Sequence, residues 1–203
     1  MAFFQHAYGH VPPSSESEEN IIQRVRSGDQ TALEEIFRTH YDGLCRFTAH
    51  LINSSDDVED LVQDIFVRIW LKRENWHPKG SIRAYLFKAA HNQALNFLKS
   101  RQVRDVANVQ IDDFFPSDSS TDPVEEMINR DVKASISKAI ETLPKKCRLV
   151  FTLNRQDGLS YSEIADVLNI SVRTVENQIA RALKALRKEL ADLGNFIYQN
   201  SDK

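Results

Sequence analysis

The stretch from Gly158 to Leu190, GLSYSEIADVLNISVRTVENQIARALKALRKEL, constrains the fold more than any other part of the chain. It specifies a helix, a tight turn and a second, longer helix. Ser160 stands three residues before Glu163, the spacing of a capping box, in which each side chain satisfies an orphan N–H at the other position. Tyr161, Ile164, Ala165 and Leu168 recur at helical intervals and predict one buried face. Asn169-Ile170 breaks the pattern, and Ser171 suits the cap of a new helix. In that helix Val172, Val175, Ile179, Leu183, Leu186 and Leu190 form an apolar stripe. The opposite face carries Arg173, Thr174, Asn177, Arg181 and Lys184, side chains that reach phosphates and base edges. Two helices joined by a short turn, the second presenting basic and amide groups, match the helix-turn-helix arrangement that enters the major groove. The competing reading is an ordinary helical hairpin with a solvated charged face.

Composition matters here mainly for where the charge lies. A chain of 203 residues permits one large or two small domains, and 41% apolar content suffices for true cores. Six glycines and six prolines are few, which favours helices over turn-rich sheet. The net charge of −3 looks unsuited to nucleic acid until the charges are located. Ser81 to Arg104 holds Arg83, Lys88, Lys99, Arg101 and Arg104 with no acid, whereas Asp105 to Glu126 holds only acids. Local fields, not the sum, govern such contacts. Cys45 and Cys147 lie in helical patterns, which suits a reduced, cytoplasmic setting. No run reaches transmembrane length, and the N-terminus has no signal-peptide pattern.

Residues 1–17 show no period and carry Pro12-Pro13, so a disordered tail is expected. His6 and His10 are spaced to share a metal only in a helix, against which Gly9 and the prolines argue. Helices are expected from Glu18 onward. Ile21, Ile22 and Val25 form a short piece that stops at Ser27-Gly28. Leu33, Ile36, Phe37, Tyr41 and Leu44 carry the next, which closes at Leu51-Ile52. In the helix Asp56–Trp70, DDVEDLVQDIFVRIW, acids crowd the first turn, where the helix dipole favours them. Val58, Leu61, Ile65 and Ile69 are expected inside. Asp60, Gln63 and Asp64 share the outer face, which reads as solvated surface or as a docking face for a basic partner.

Ser81–Arg101, SIRAYLFKAAHNQALNFLKSR, follows with Ser81 as its cap. Ile82, Leu86, Ala90, Ala94 and Phe97 lie on one side, and Tyr85, Lys88, Asn92, Asn96 and Lys99 on the other. A stripe of aromatic, amide and basic groups without a carboxylate suits a nucleic-acid backbone and unstacked bases. For Trp76 core packing outweighs a stacking role; for Tyr85 the two readings balance. Residues 102–122 are acidic and aperiodic and form the boundary. Asp122-Pro123 then starts a helix with Ile128, Val132, Ile136 and Ile140 inside, through Leu143. A short helix from Pro144 to Leu153 buries Leu149 and Val150. The tail after Leu193 is expected to fray.

In this order, the acidic helix DDVEDLVQDIFVRIW, the basic-amide helix SIRAYLFKAAHNQALNFLKSR and the C-terminal LPKKCRLVFTLNRQDGLSYSEIADVLNISVRTVENQIARALKALRKEL resemble bacterial RNA polymerase sigma factors of the sigma-70 family. The two-domain form resembles the extracytoplasmic-function group, which keeps conserved regions two and four. The resemblance covers about residues 18–101 and 123–190. It implies an all-α fold: a region-2 domain over residues 18–101, a flexible acidic linker over 102–122 and a region-4 helix-turn-helix domain over 123–193, with tails at 1–17 and 194–203.

The resemblance also implies roles. The acidic helix would dock on the clamp coiled coil of the polymerase largest subunit through Asp57, Asp60, Gln63, Asp64 and Arg68. The basic-amide helix and the loop before it would engage the −10 element and its melted strand through Lys79, Arg83, Tyr85, Lys88, Asn92, Asn96, Lys99 and Arg101. The recognition helix would read the −35 element through Ser171, Arg173, Thr174, Glu176, Asn177, Arg181 and Lys184. Glu176 stands where an arginine is more usual, so the −35 sequence does not follow from the residues. Implied partners are core RNA polymerase, promoter DNA and an anti-sigma factor, with no cofactor, metal or membrane insertion. A stand-alone helix-turn-helix regulator is the main rival; it needs a sensing half, and residues 18–101 show only helices. An enzyme is disfavoured, because the chain lacks a Gly-rich phosphate loop, a nucleophile elbow and a zinc-spaced Cys/His set.

Overall fold

The computed structural model describes residues 17–52, 55–104 and 139–200, and every regular element among them is helical. They are α1 (Glu18–Arg26), α2 (Gln30–Ala49), α3 (Ser55–Leu71), a 3₁₀ turn (Arg73–Asn75), α4 (Ile82–Arg104), α5 (Lys145–Arg155), α6 (Tyr161–Leu168) and α7 (Val172–Asn200). The chain falls into two compact units, one dominated by α1–α4 and the other by the C-terminal helices. The expected tail over residues 1–16, linker residues 105–122 and the helix start at Asp122-Pro123 lie outside the described residues.

In the N-terminal unit each helix has a local reason to start. Ser17 caps α1, its hydroxyl accepting from the Asn20 N–H at 3.3 Å. Gly28, at φ +90°, makes the turn that ends α1, a conformation open to glycine at little cost. Asp29 then caps α2 through the Thr31 N–H at 2.9 Å and also receives Arg24 Nε at 2.8 Å. Hydrogen bonds from Thr31 and Arg24 hold the Asp29 carboxyl down to about 2.

α2, α3 and α4 bury one another's apolar faces. Ile36, Leu44 and Phe47 from α2 meet Val58, Val62, Ile65, Phe66 and Ile69 from α3 and Ile82, Leu86, Phe87, Ala90 and Ala94 from α4. Edge-on ring pairs, Phe37–Phe66 at 4.9 Å and Phe47–Phe87 at 5.3 Å, knit the seams. Within α3 the inward set differs from expectation: Val62 and Phe66 are fully enclosed, while Leu61 is only half-buried. α3 is flanked by α2 on one side and α4 on the other, so its buried arc is wider than a single stripe.

The C-terminal unit is built on Leu149, Val150, Phe151 and Leu153 of α5, Leu159, Ile164, Ala165 and Val167 around α6, and Val175, Ile179, Ala182 and Leu186 of α7. Ala139, Ile140 and Leu143 join this core, and the Arg148 guanidinium donates to the carbonyls of Glu141 and Leu143 just before α5. Helix α7 continues to Asn200, past the expected end at Leu193. Gly194 alone costs a helix only about 1 kcal/mol, and no proline follows to stop it.

Candidate nucleic-acid interface and docking faces

The outer face of α3 is more than acidic. Asp57, Asp60, Asp64 and Arg68 share one side of the helix; Asp57 is half-buried and the others are exposed, as is the neighbouring Gln63. Arg68 pairs with Asp64 one turn earlier at 3.3 Å, both ends in solvent. Val67 and Leu71 continue the same side and are 52% and 72% exposed. These two apolar residues were not singled out from sequence. An acidic strip with apolar groups at one end is chemistry for a protein partner, because apolar side chains left in water gain by being covered.

On α4 the expected stripe is present. Lys88, Asn92, Asn96 and Lys99 are exposed and Tyr85 is half-buried. Leu95, 40% exposed, lies beside them. Arg101 is exposed with its guanidinium 5.9 Å from the Phe97 ring. Tyr85, Asn92 and Asn96 line a cleft of about 220 Å³ between α3 and α4, together with Ile65, Arg68, Ala89 and Gln93. The structure thus gathers Arg68 of the docking set and three residues of the DNA set around one opening. Trp76 is 4% exposed and meets Tyr85 edge-on at 5.9 Å, so it supports Tyr85 from behind and offers no stacking face. Lys79 is exposed in the loop before α4.

Arg83 is set apart from the stripe. It is half-buried on the side of α4 that turns toward α2, near enough to His40 for the two to interact. Burial, and secondarily the Arg83 charge, holds the His40 imidazole down to about 4. His40 is therefore neutral at pH 7. An unfolded histidine titrates near 6.5, so the unfolded chain binds more protons between about 6.5 and 4. Stability is then intact above about 6.5 and falls as the pH drops toward about 4. His40→Gln is expected to flatten this part of a thermal-melting series run from about pH 7.5 to about pH 4.5. His91, also lowered by burial, is expected to contribute to the slope that remains. An unaltered series would place the proton uptake elsewhere.

The helix-turn-helix forms as its sequence requires. The Ser160 N–H donates to Glu163 Oε2 at 2.8 Å and the Glu163 N–H to Ser160 Oγ at 3.3 Å, closing the capping box. Asn169 takes φ +53°, a left-handed turn that asparagine tolerates, and the Ile170 N–H closes back on the Ala165 carbonyl at 3.0 Å. Ser171 caps α7, accepting from the Thr174 N–H at 3.1 Å, and its hydroxyl lies 2.8 Å from that of Thr174. Both hydroxyls therefore serve first to start the helix. Arg173, Glu176, Asn177, Arg181 and Lys184 are exposed, as expected.

Two features of α7 differ from the sequence reading. Val172, expected in the apolar stripe, is 42% exposed, and Ala182 holds the buried position instead. Val172 lies on nearly the same side as Ile179, seven residues on, but it is the first residue of α7 and stays partly uncovered at the helix start. Ala180, not singled out before, is exposed amid the polar face. A small side chain there permits close approach of the helix to a surface. Gln178 turns inward, its Oε1 accepting from Cys147 Sγ at 2.8 Å, which ties α7 to α5. On α6, Tyr161 and Leu168 are half-buried, and Val167 is the more enclosed residue.

No described helix is long and apolar enough to cross a membrane. The Sigma-70 region 2 family model matches residues 36–104, and the Sigma-70, region 4 model matches residues 133–186. RNA polymerase sigma-H factor of Pseudomonas aeruginosa is 26% identical over 187 residues, spanning 89% of this chain and 97% of the relative. The ECF RNA polymerase sigma-E factor of Escherichia coli K12 is 27% identical over 180 residues, spanning 85% and 94%. CnrH, solved in complex with the cytosolic domain of CnrY, has a similar fold: TM-score 0.54, 24% identity, 87% of this chain and 99% of that one. The sigma factor RpoE of Bartonella quintana, solved with the anti-sigma factor NepR, aligns at TM-score 0.53 and 22% identity over 78% of this chain and 96% of that one. With both family models matched in the order that the α3, α4 and α7 faces follow, the chain belongs to the sigma-70 family, as a sigma factor of the extracytoplasmic-function group.

Proposed function

We propose that this chain is a dissociable subunit of RNA polymerase that selects and opens promoters. The observation that carries the reading is three exposed faces in fixed order on two units: acidic α3, acid-free α4 and the capped α7. Residues 18–101 dock on the polymerase clamp and engage the −10 element; residues 123–193 read the −35 element. Asp57, Asp60, Gln63, Asp64 and Arg68, extended by Val67 and Leu71, meet the polymerase. Tyr85, Lys88, Asn92, Asn96, Lys99, Arg101 and Lys79 hold the melted strand, and Arg83 sets the α2–α4 seam behind them.

The division of labour follows from magnitudes. A stacked base contributes about 1–3 kcal/mol, and a good bidentate base contact about as much. Neither face holds a promoter alone against physiological salt, so specific binding requires the polymerase to present both. The chain is an initiation factor acting in the cytoplasm with polymerase, not an enzyme in its own right. An anti-sigma partner, of the kind seen with the solved relatives, regulates it by covering the polymerase or DNA faces.

The test is run-off transcription with purified bacterial core polymerase on pooled promoter fragments from the source genome. Protein-dependent initiation at discrete start sites is expected, with weak DNA binding by the isolated chain. Tight, salt-resistant promoter binding without polymerase, and no added initiation, would favour a stand-alone regulator.

A further inference from the structure

The loop from Lys72 to Ser81 joins the docking helix to the DNA helix, and its exposed tip runs over His77, Lys79 and Gly80 around half-buried Pro78. Its own hydrogen bonds are few: Asn75 N–H to the Lys72 carbonyl at 3.0 Å and Trp76 N–H to the Arg73 carbonyl at 3.1 Å. α3 holds its start, where the Arg73 guanidinium lies 4.7 Å from the Trp70 ring and donates to the Trp70 carbonyl at 3.0 Å. Further holds come from α1, a helix with none of the residues assigned to DNA or polymerase. Arg26 Nε donates to the Glu74 carbonyl at 3.3 Å. Glu18 Oε2 accepts the N–H of Ile82, the first residue of α4, at 3.1 Å across 64 positions of sequence.

That second contact is a helix cap supplied from a distance. The first turn of α4 has orphan N–H groups. Ser81 Oγ takes the one at Ala84, at 3.1 Å. Glu18 takes the one at Ile82 and places a carboxylate where the helix dipole favours it. Without Glu18, the start of α4 and the turn at Gly80, which sits at φ +79°, lose this tie to α1.

We infer that α1 is a brace for this loop, and that Glu18 and Arg26 are positioning residues for promoter opening: they fix the loop tip and the Tyr85 end of α4 in one geometry before DNA arrives. The inference rests on the sigma-factor reading above. Neither residue touches DNA in this scheme; each acts through loop geometry.

The test pairs two readouts. In transcription with core polymerase, Glu18→Ala and Arg26→Ala are each expected to slow strand opening about 5-fold, read as permanganate reactivity of −10 thymines, as befits one lost charge-assisted hydrogen bond. Polymerase affinity and −35 preference stay unchanged. Glu18→Gln keeps an acceptor and is expected to restore most of the rate. Glu19→Ala, which removes the neighbouring first-turn charge of α1 without touching α4, is expected to match wild type. The second readout needs no polymerase: in a Trp70→Phe background, acrylamide quenching reports Trp76 alone, and Glu18→Ala and Arg26→Ala are expected to raise it. Quenching equal to that of Glu19→Ala overturns the brace, as does a loss of polymerase affinity matching the loss of opening. Raised quenching in a protein that supports no initiation even as wild type sustains the brace and sinks the sigma-factor reading instead.

Discussion

Replacing Asp60 and Asp64 together by alanine is expected to lower protein-dependent initiation roughly a hundredfold or more at limiting polymerase, because each truncated partner of a desolvated charge pair costs about 2–5 kcal/mol. The fold has little reason to suffer. Both side chains are exposed, and the Asp64–Arg68 pair lies in solvent, where such pairs contribute at most about 1 kcal/mol. Alanine is also the better helix former. The defect is expected to appear as weaker binding of labelled protein to core polymerase, to lessen as protein is added in excess, and to shrink with rising salt in step with wild type. Leu71→Ala is expected to add a smaller, salt-insensitive loss, since it removes exposed apolar surface and not charge. Wild-type affinity for polymerase in the double variant would mean that α3 presents an ordinary solvated face.

The parts of the fold that were legible in sequence are those where a single local rule decides. Ser160 and Glu163 need only each other to form the capping box, and Asn169 and Ser171 need only a turn and a helix start. The stripe on α4 was legible because its two sides differ in kind: Ile82, Leu86, Ala90 and Ala94 against Lys88, Asn92, Asn96 and Lys99. α3 was less so. From Leu61 to Leu71 most residues are apolar, more than one face can bury, and only the position of α2 and α4 decides that Val62 and Phe66 go in while Val67 and Leu71 stay out. Arg83 was less legible for a similar reason. Its basic character fits DNA, but its register turns it toward His40. The Glu18–Ile82 contact was beyond reach, because no local pattern links a first-turn acid of α1 to a helix start 64 residues away.

The second large effect is expected at α7, and it separates the two units. Arg173→Ala/Arg181→Ala is expected to reduce initiation at a promoter with its own −35 element by roughly a hundredfold, taking about 1–3 kcal/mol for each lost contact. Polymerase affinity stays at the wild-type value, the opposite of the α3 double variant. The packing of α7 gives no reason for it to unfold, since Val175, Ile179, Ala182 and Leu186 hold it and both arginines are exposed. The single variants then tell phosphate from base contacts. If an arginine meets a phosphate, its loss weakens all promoters alike and lowers the salt slope of binding by about one. If it meets a base edge, the loss relaxes choice at one −35 position. Glu176→Ala is expected to do the latter, because a carboxylate in a field of phosphates is tolerated only where it accepts from a cytosine amine or rejects a wrong base. Ala180→Leu offers a check from packing alone. A bulky side chain in the middle of the exposed face holds α7 away from the groove, and it is expected to mimic the double arginine variant without changing charge. Transcription unchanged by all of these variants would remove α7 from promoter reading, and with it the role proposed for the C-terminal unit.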